Sequence, residues 1–214
     1  MTTSSKYQKE LDWLVPDPLN VSRWEKHATY QIIQKYTPYL TGAVADFGCN
    51  NAIACCMLSK LHGVETVTGF DISTKALADG EHVIKTHPNC WTNKISLIYS
   101  NLTNIDCGDN QFDSAISLHT LEHIYPEDLD AVLSEIARVL KPGGHFVFSV
   151  PCKRAFDDSE AHVVFFSIED ELKFTCLPTL LGRHGFSIIE IYNDTALGTG
   201  NNACITGLAQ SLKL

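Results

Sequence analysis

The sequence predicts an α/β fold on a mostly parallel sheet whose last strand runs antiparallel. Three observations predict it. From about Ala43 onward, short apolar segments of strand length alternate with segments of helical periodicity. The strand-like segments are nearly continuous in apolar residues, as strands covered on both faces must be. The final two are joined by Asn193–Asn202, too short for a crossover helix, so they should pair antiparallel.

The elements follow in order. The first 20 residues mix polar side chains with Trp13, Leu14, Pro16 and Pro18 and read as an irregular lead-in. A helical pattern from about Ser22 to Tyr39 puts Trp24, Tyr30, Ile33 and Tyr36 near one another. Ala43–Phe47 is a strand ending at Gly48, and Ala52–Leu61 is helical. Thr66–Phe70 is a strand closed by Asp71, and Thr74–Lys85 has helical spacing. Ile95–Tyr99 and Phe112–Leu118 are strands, the second opening into a turn before Glu122. Leu129–Leu140 is a strongly periodic helix, stopped by Pro142-Gly143-Gly144. His145–Val150 returns as a strand. A helix at about Ile168–His184 and strands at Ser187–Tyr192 and Ala203–Ala209 complete the pattern.

Composition bounds the function. A chain of 214 residues with 44% hydrophobic and 19% charged residues can bury one substantial core, so residues 1–214 are expected to form a single domain. Within it, 1–40 would be a lead-in and helix, 41–150 the ligand-binding core, and 151–214 an acceptor-side segment and closing hairpin. Sixteen Lys+Arg against 25 Asp+Glu give a net charge of −9 with no basic run, which speaks against gripping nucleic-acid phosphates. No apolar run approaches the roughly 18 residues of a membrane span. Met1–Glu10 is polar and lacks the apolar stretch of a signal peptide. A cytoplasmic protein without membrane or nucleic-acid partners is expected. The cysteines, at 49, 55, 56, 90, 107, 152, 176 and 204, form no C-x-x-C pair, so reduced and mostly buried thiols are expected.

In an open α/β sheet, ligands bind beyond the carboxyl ends of the strands, where strand order reverses. Here those ends carry Asp46-Phe47-Gly48-Cys49-Asn50-Asn51, then Asp71, Asn101, His119 through His123, and Pro151. Core packing does not call for polar groups at all of these together. There is no G-x-S-x-G, H-E-x-x-H or Walker lysine loop, so hydrolase, zincin and nucleotide triphosphatase readings have no support.

These residues carry a resemblance. Val44-Ala45-Asp46-Phe47-Gly48-Cys49, Gly69-Phe70-Asp71, Phe112-Asp113-Ser114-Ala115-Ile116, His119-Thr120-Leu121-Glu122-His123-Ile124 and Leu140-Lys141-Pro142-Gly143-Gly144 stand in order. Together they resemble the class I S-adenosylmethionine-dependent methyltransferases of small-molecule type. The resemblance covers Val44 to Pro151, about half the chain. It implies a Rossmann-like, doubly wound seven-stranded sheet and S-adenosylmethionine as cofactor. It implies cofactor contacts at Asp46, Gly48, Cys49, Asn50, Asp71, Ile72, Asn101, Leu102 and Leu118.

Each residue has a physical reason and a plainer reading. Gly48 allows close backbone approach at a sharp turn whose free N–H groups would meet a carboxylate. The family has further glycines where this chain has Asn50 and Ala52. Asp71 stands where the family places an acid that accepts both ribose hydroxyls; the plainer reading is a helix N-cap by Asp71 or Ser73. Ile72 would lie against the adenine. Asn101 would accept from the adenine amino group, or would simply be a turn residue.

His119, Glu122 and His123 lie at i, i+3 and i+4, so one helical turn would put them on one face. The cluster reads as structural support, as an acid–base group with His119 nearest the reacting centre, or as metal ligands with His162 as a distant fourth. No metal site is assigned. Asp157-Asp158-Ser159-Glu160 reads as a solvated loop. The expected function is methyl transfer from S-adenosylmethionine to an oxygen or nitrogen of a small-molecule acceptor such as a sugar or secondary metabolite. The alternatives are metal-assisted O-methylation through His119, Glu122 and His123, and a catalytically silent cofactor-binding partner subunit.

Overall fold

The computed structural model describes residues 28–87, 90–151, 162–171, 173–194 and 204–213. In chain order the elements are α1 (Ala28–Tyr36), β1 (Gly42–Phe47), α2 (Ile53–Ser59), β2 (Val64–Asp71), α3 (Thr74–Thr86), β3 (Ile95–Tyr99) and β4 (Phe112–Leu118). They continue with α4 (Leu129–Val139), β5 (Leu140–Pro151), β6 (Phe166–Ser167), β7 (Thr175–Cys176), α5 (Leu177–Arg183), β8 (Phe186–Asp194) and β9 (Cys204–Ser211).

Seven strands form one sheet in the order β3-β2-β1-β4-β5-β9-β8, and β6 pairs with β7 apart from it. Strands β1 to β5 are all parallel to one another, while β9 is antiparallel to both β5 and β8. The antiparallel last strand and the seven-stranded α/β sheet are as expected. Strand order reverses between β1 and β4, so their carboxyl ends open the crevice where an α/β sheet receives a ligand.

Alternation along the central strands explains why both faces are covered. Ala45, Ala115, Phe146 and Phe148 face Leu133 and Ile136 of α4 and Leu180 and Leu181 of α5. Val44, Ile116 and Val147 face Ile33 and Tyr36 of α1, Cys55 and Leu58 of α2, and Val83 of α3. Adjacent residues point to opposite faces, and each meets helices.

Three expectations need correction. The Leu129–Leu140 helix ends at Val139, and Leu140 already has extended φ and ψ of −73° and 142°. Pro142-Gly143-Gly144 therefore lies inside β5, where the pairing with β4 shifts register between Phe112 and Ser114. The helix at Ile168–His184 shrinks to Leu177–Arg183 because Pro178, with no N–H to give, belongs in a first turn and not an interior. The reduced-thiol expectation fails for one pair: Cys56 and Cys90 form a disulfide, while Cys49, Cys55, Cys107, Cys176 and Cys204 are not disulfide-bonded. The pairing joins α2 to the segment before β3, a proximity that residue spacing could not reveal.

Trp24, Cys152 and the 157–160 acidic stretch lie outside the described residues, as does the start of the Ser22–Tyr39 helix. Among the described residues no helix is long and apolar enough to cross a membrane.

Gly207 of β9 offers a test of the packing. A Cβ built there would stand 2.5 Å from Phe148 Cζ and 2.7 Å from the Glu190 carbonyl oxygen. The backbone oxygen cannot swing aside. Gly207→Ala is expected to destabilise the fold by about 1–3 kcal/mol, the cost of overpacking, read as a lower urea midpoint at unchanged slope. An unchanged midpoint would mean that β5, β8 and β9 pack less tightly than described.

Candidate functional site at the strand ends

The carboxyl end of β1 is held by a buried acid. Asp46 is 2% exposed, and Cys55 Sγ donates to its Oδ2 at 3.2 Å. Burial raises its pKa to about 7, with the Cys55 hydrogen bond opposing and the nearby Asp71 charge adding. The chain then turns sharply. Gly48 adopts φ +78°, and a Cβ there would meet the Thr120 side chain at 2.3 Å. Gly48 thus lets the β4 end press against the β1 end.

Asn50 and Ala52, at positions where the family has glycine, also take left-handed φ values of 47° and 61°. The turn keeps a glycine-like path at a cost of roughly 1–2 kcal/mol for a residue such as Ala52. Asn tolerates it better, and Asn50 Oδ1 accepts the Asn51 N–H at 2.7 Å.

The expectation of free N–H groups in this turn is not met. Gly48 and Cys49 N–H both donate to the Phe70 carbonyl, at 2.8 and 3.0 Å, and Ala52 N–H donates to Cys49 O at 2.9 Å. Asn50 N–H donates to Asp71 Oδ2 at 2.8 Å. The N–H groups of residues 48–52 are therefore used within the turn and toward β2.

Asp71 ends β2 half-buried. Its Oδ2 takes the Asn50 N–H, and its Oδ1 takes the Ser73 N–H at 2.8 Å. The cap of α3 is Ser73, whose Oγ accepts the Ala76 N–H at 3.1 Å, so the N-cap reading of Asp71 falls away. A carboxylate oxygen can accept more than one hydrogen bond. Ile72 beside it is 9% exposed. At the next strand end Asn101 Oδ1 accepts the Thr103 N–H at 3.1 Å, closing a local turn, and Leu102 is buried in the core. The Asp71 carbonyl accepts the Ser100 N–H at 2.9 Å, which ties the β2 and β3 ends together.

Past β4 the half-buried Leu118 leads to His119, at φ +56° with its N–H on the Ser149 carbonyl at 2.8 Å. Leu121–His123 forms a single 3-10 turn. His119 Nδ1 stands 3.5 Å from Glu122 Oε1, and its Nε2 stands 3.9 Å from Cys204 Sγ. Burial opposes the charged imidazolium, but Cys204 and the Glu122 carboxylate together raise the His119 pKa above its ordinary value. His123 does not share that contact; its ring meets the His162 ring edge to face, with centroids 5.1 Å apart. Glu122 therefore lies between two neighbours, His119 on one side and the His123–His162 pair on the other.

Two neighbours escaped the sequence reading. Cys204 arrives because β9 pairs antiparallel with β5 and sets Cys204 opposite Pro151, a register no local pattern encodes. Thr120 lies inside the recognised motif, yet its contact with Gly48 appears only when β1 and β4 are adjacent.

Comparison with known proteins agrees with this geometry. Residues 45–148 match the family model described as a methyltransferase domain. The chain is 23% identical over 188 residues to the O-methyltransferase resE of Aspergillus sclerotiorum, a match covering 80% of this chain and 69% of that protein. It is 26% identical over 106 residues to a fatty-acid O-methyltransferase of Mycolicibacterium smegmatis, covering 50% of this chain and 36% of that protein. The chain thus spans only about a third of the second relative. The N-methyltransferase NodS of Bradyrhizobium japonicum, solved with S-adenosyl-L-homocysteine, shares the fold at a TM-score of 0.72, with 16% identity and full coverage of both chains.

Asp46 gives the site a pH signature. The folded pKa near 7 lies above the unfolded carboxylate value of 3.8, so between them the folded chain holds a proton that the unfolded chain has lost. Stability is then greatest below that window and falls as pH rises through it. Asp46→Asn should remove this loss, so the mutant's advantage grows from pH 4 to pH 7 to on the order of 4 kcal/mol. A constant difference across that range in urea melts would contradict a buried, protonatable Asp46.

Proposed function

We propose, for a chain that belongs to the class I S-adenosylmethionine-dependent methyltransferases and takes S-adenosylmethionine as methyl donor, that it methylates an oxygen of a small-molecule acceptor. Asp71 carries the reading. A half-buried carboxylate stands beside the sheet's switch point, its two oxygens fixed side by side by two backbone N–H groups. That matches the demand of a ribose with two neighbouring hydroxyls. Oxygen is favoured over nitrogen because both curated relatives named above are O-methyltransferases. A sugar or secondary metabolite is the acceptor class we infer.

When bound, the cofactor supplies an electrophilic methyl on sulfur, so that transfer to a hydroxyl forms a C–O bond, returns the C–S electron pair to sulfur and releases a proton. The chain's task is to hold and align. In this reading Asp71 binds the ribose, and Ile72 and Leu102 flank the adenine. Asn101 uses its remaining acceptor capacity on the adenine amino group. Asp46, Gly48, Cys49 and Asn50 keep the β1 turn in shape, while Leu118 borders the methyl donor. His119 is the side chain nearest the reacting centre, with Glu122 orienting its ring and His123 holding the acceptor side.

Isothermal titration with S-adenosylhomocysteine tests the binding half. Asp71→Ala should weaken it by about 1.5–3 kcal/mol, the range for hydrogen bonds to a charged group. Unchanged affinity would remove the ribose assignment. Transfer of labelled methyl to a panel of hydroxyl acceptors tests the chemical half: His119→Ala should lower turnover while product affinity stays at the wild-type value. Product binding with no turnover on any acceptor would favour the silent partner subunit.

A further inference from the structure

Glu122 is 2% exposed, and neither of its side-chain oxygens has a hydrogen-bond partner among the described residues. A buried carboxylate left so is costly unless a positive charge answers it. His119 Nδ1 at 3.5 Å from Oε1 is too distant for a good hydrogen bond and leaves Oε2 untouched.

The remaining neighbours are of another kind. The ligand atoms of Glu122, His123 and His162 lie within 4.8 Å of one another. Backbone hydrogen bonds hold them together. The Glu122 carbonyl accepts the N–H groups of Val163 and Val164 at 2.9 and 3.2 Å, which pins the segment after His162 onto the Leu121–His123 turn. Two imidazoles and a carboxylate on a pinned frame form the donor set of a borderline divalent ion, not the all-oxygen set that magnesium or calcium selects. Bonds of about 2.0–2.2 Å would draw the three atoms closer than they stand, a rotation within reach of the half-buried histidine rings.

We infer that Glu122, His123 and His162 bind a divalent cation of the zinc class. Three protein ligands leave a coordination position open, the pattern of a site that takes a substrate atom. The cluster sits one short turn from His119. The open position therefore suits a hydroxyl oxygen of the acceptor, a role that rests on the methyl-transfer reading above. Of the four ligands the sequence suggested, His119 falls outside the set, and Glu122, His123 and His162 remain together.

Titration of zinc into chelator-treated full-length protein, followed by calorimetry, tests the site. One ion per chain is expected. His162→Ala and Glu122→Gln should each bind about tenfold more weakly or worse, with folds verified by circular dichroism. Cobalt substitution should give a visible absorption band that His162→Ala loses. Failure of wild-type protein to bind zinc, or equal affinity in all three proteins, would overturn the proposal and leave Glu122 answered by His119 alone. Titration of S-adenosylhomocysteine separates the two readings. Zinc binding as expected without product binding would defeat the methyl-transfer reading and leave the cation site standing.

Discussion

One carboxylate joins the loops on which the site depends. Asp71 accepts a backbone N–H from the turn after β1 through one oxygen and another from the entry to α3 through the other. Its own carbonyl then takes the Ser100 N–H at the end of β3. Three successive strand ends are thereby fixed to one residue. Charge-assisted bonds to backbone N–H groups are among the stronger hydrogen bonds, and the two here fix the carboxylate's orientation. A ligand that hydrogen-bonds to this carboxylate meets a group whose rotamer is already settled.

The β1 turn shows how such an anchor compensates for unfavourable local residues. Asn50 and Ala52 occupy left-handed backbone space that glycine would enter without strain. The Asn50 N–H bond to Asp71 and the Cys49–Ala52 bond hold the path in place of conformational preference. Gly48 remains where no side chain fits, because Thr120 fills the space from the neighbouring strand end. The close β1–β4 approach therefore ties the β1 turn to the turn that carries His119 and Glu122.

Much of the fold was legible because its signals are local. The apolar runs at Gly42–Phe47, Ile95–Tyr99 and Phe112–Leu118 are strands within a residue of where periodicity places them. The antiparallel β8–β9 pair follows from a short connection. The misreadings came from ambiguous punctuation. Pro142-Gly143-Gly144 resembles a helix stop, yet the chain enters β5 two residues earlier and the glycines accommodate a shift in strand register. Pro178 opens α5, where the apolar periodicity alone suggested a longer helix. At the site, Asp71 and Gly48 were visible as residue types at strand ends. The His123–His162 contact, the Cys204–His119 approach and the Cys56–Cys90 disulfide depend on distant segments meeting, which only topology determines.

The central claim is that the ends of β1, β2 and β3 form one prearranged cofactor cradle around Asp71. A crystal structure of the chain with S-adenosylhomocysteine tests it most directly. The account predicts the ribose hydroxyls on the two Asp71 oxygens, with the Asn50 and Ser73 N–H bonds to that carboxylate still in place. Product bound away from these strand ends, or an Asp71 side chain that leaves its backbone partners to reach the ribose, would contradict it.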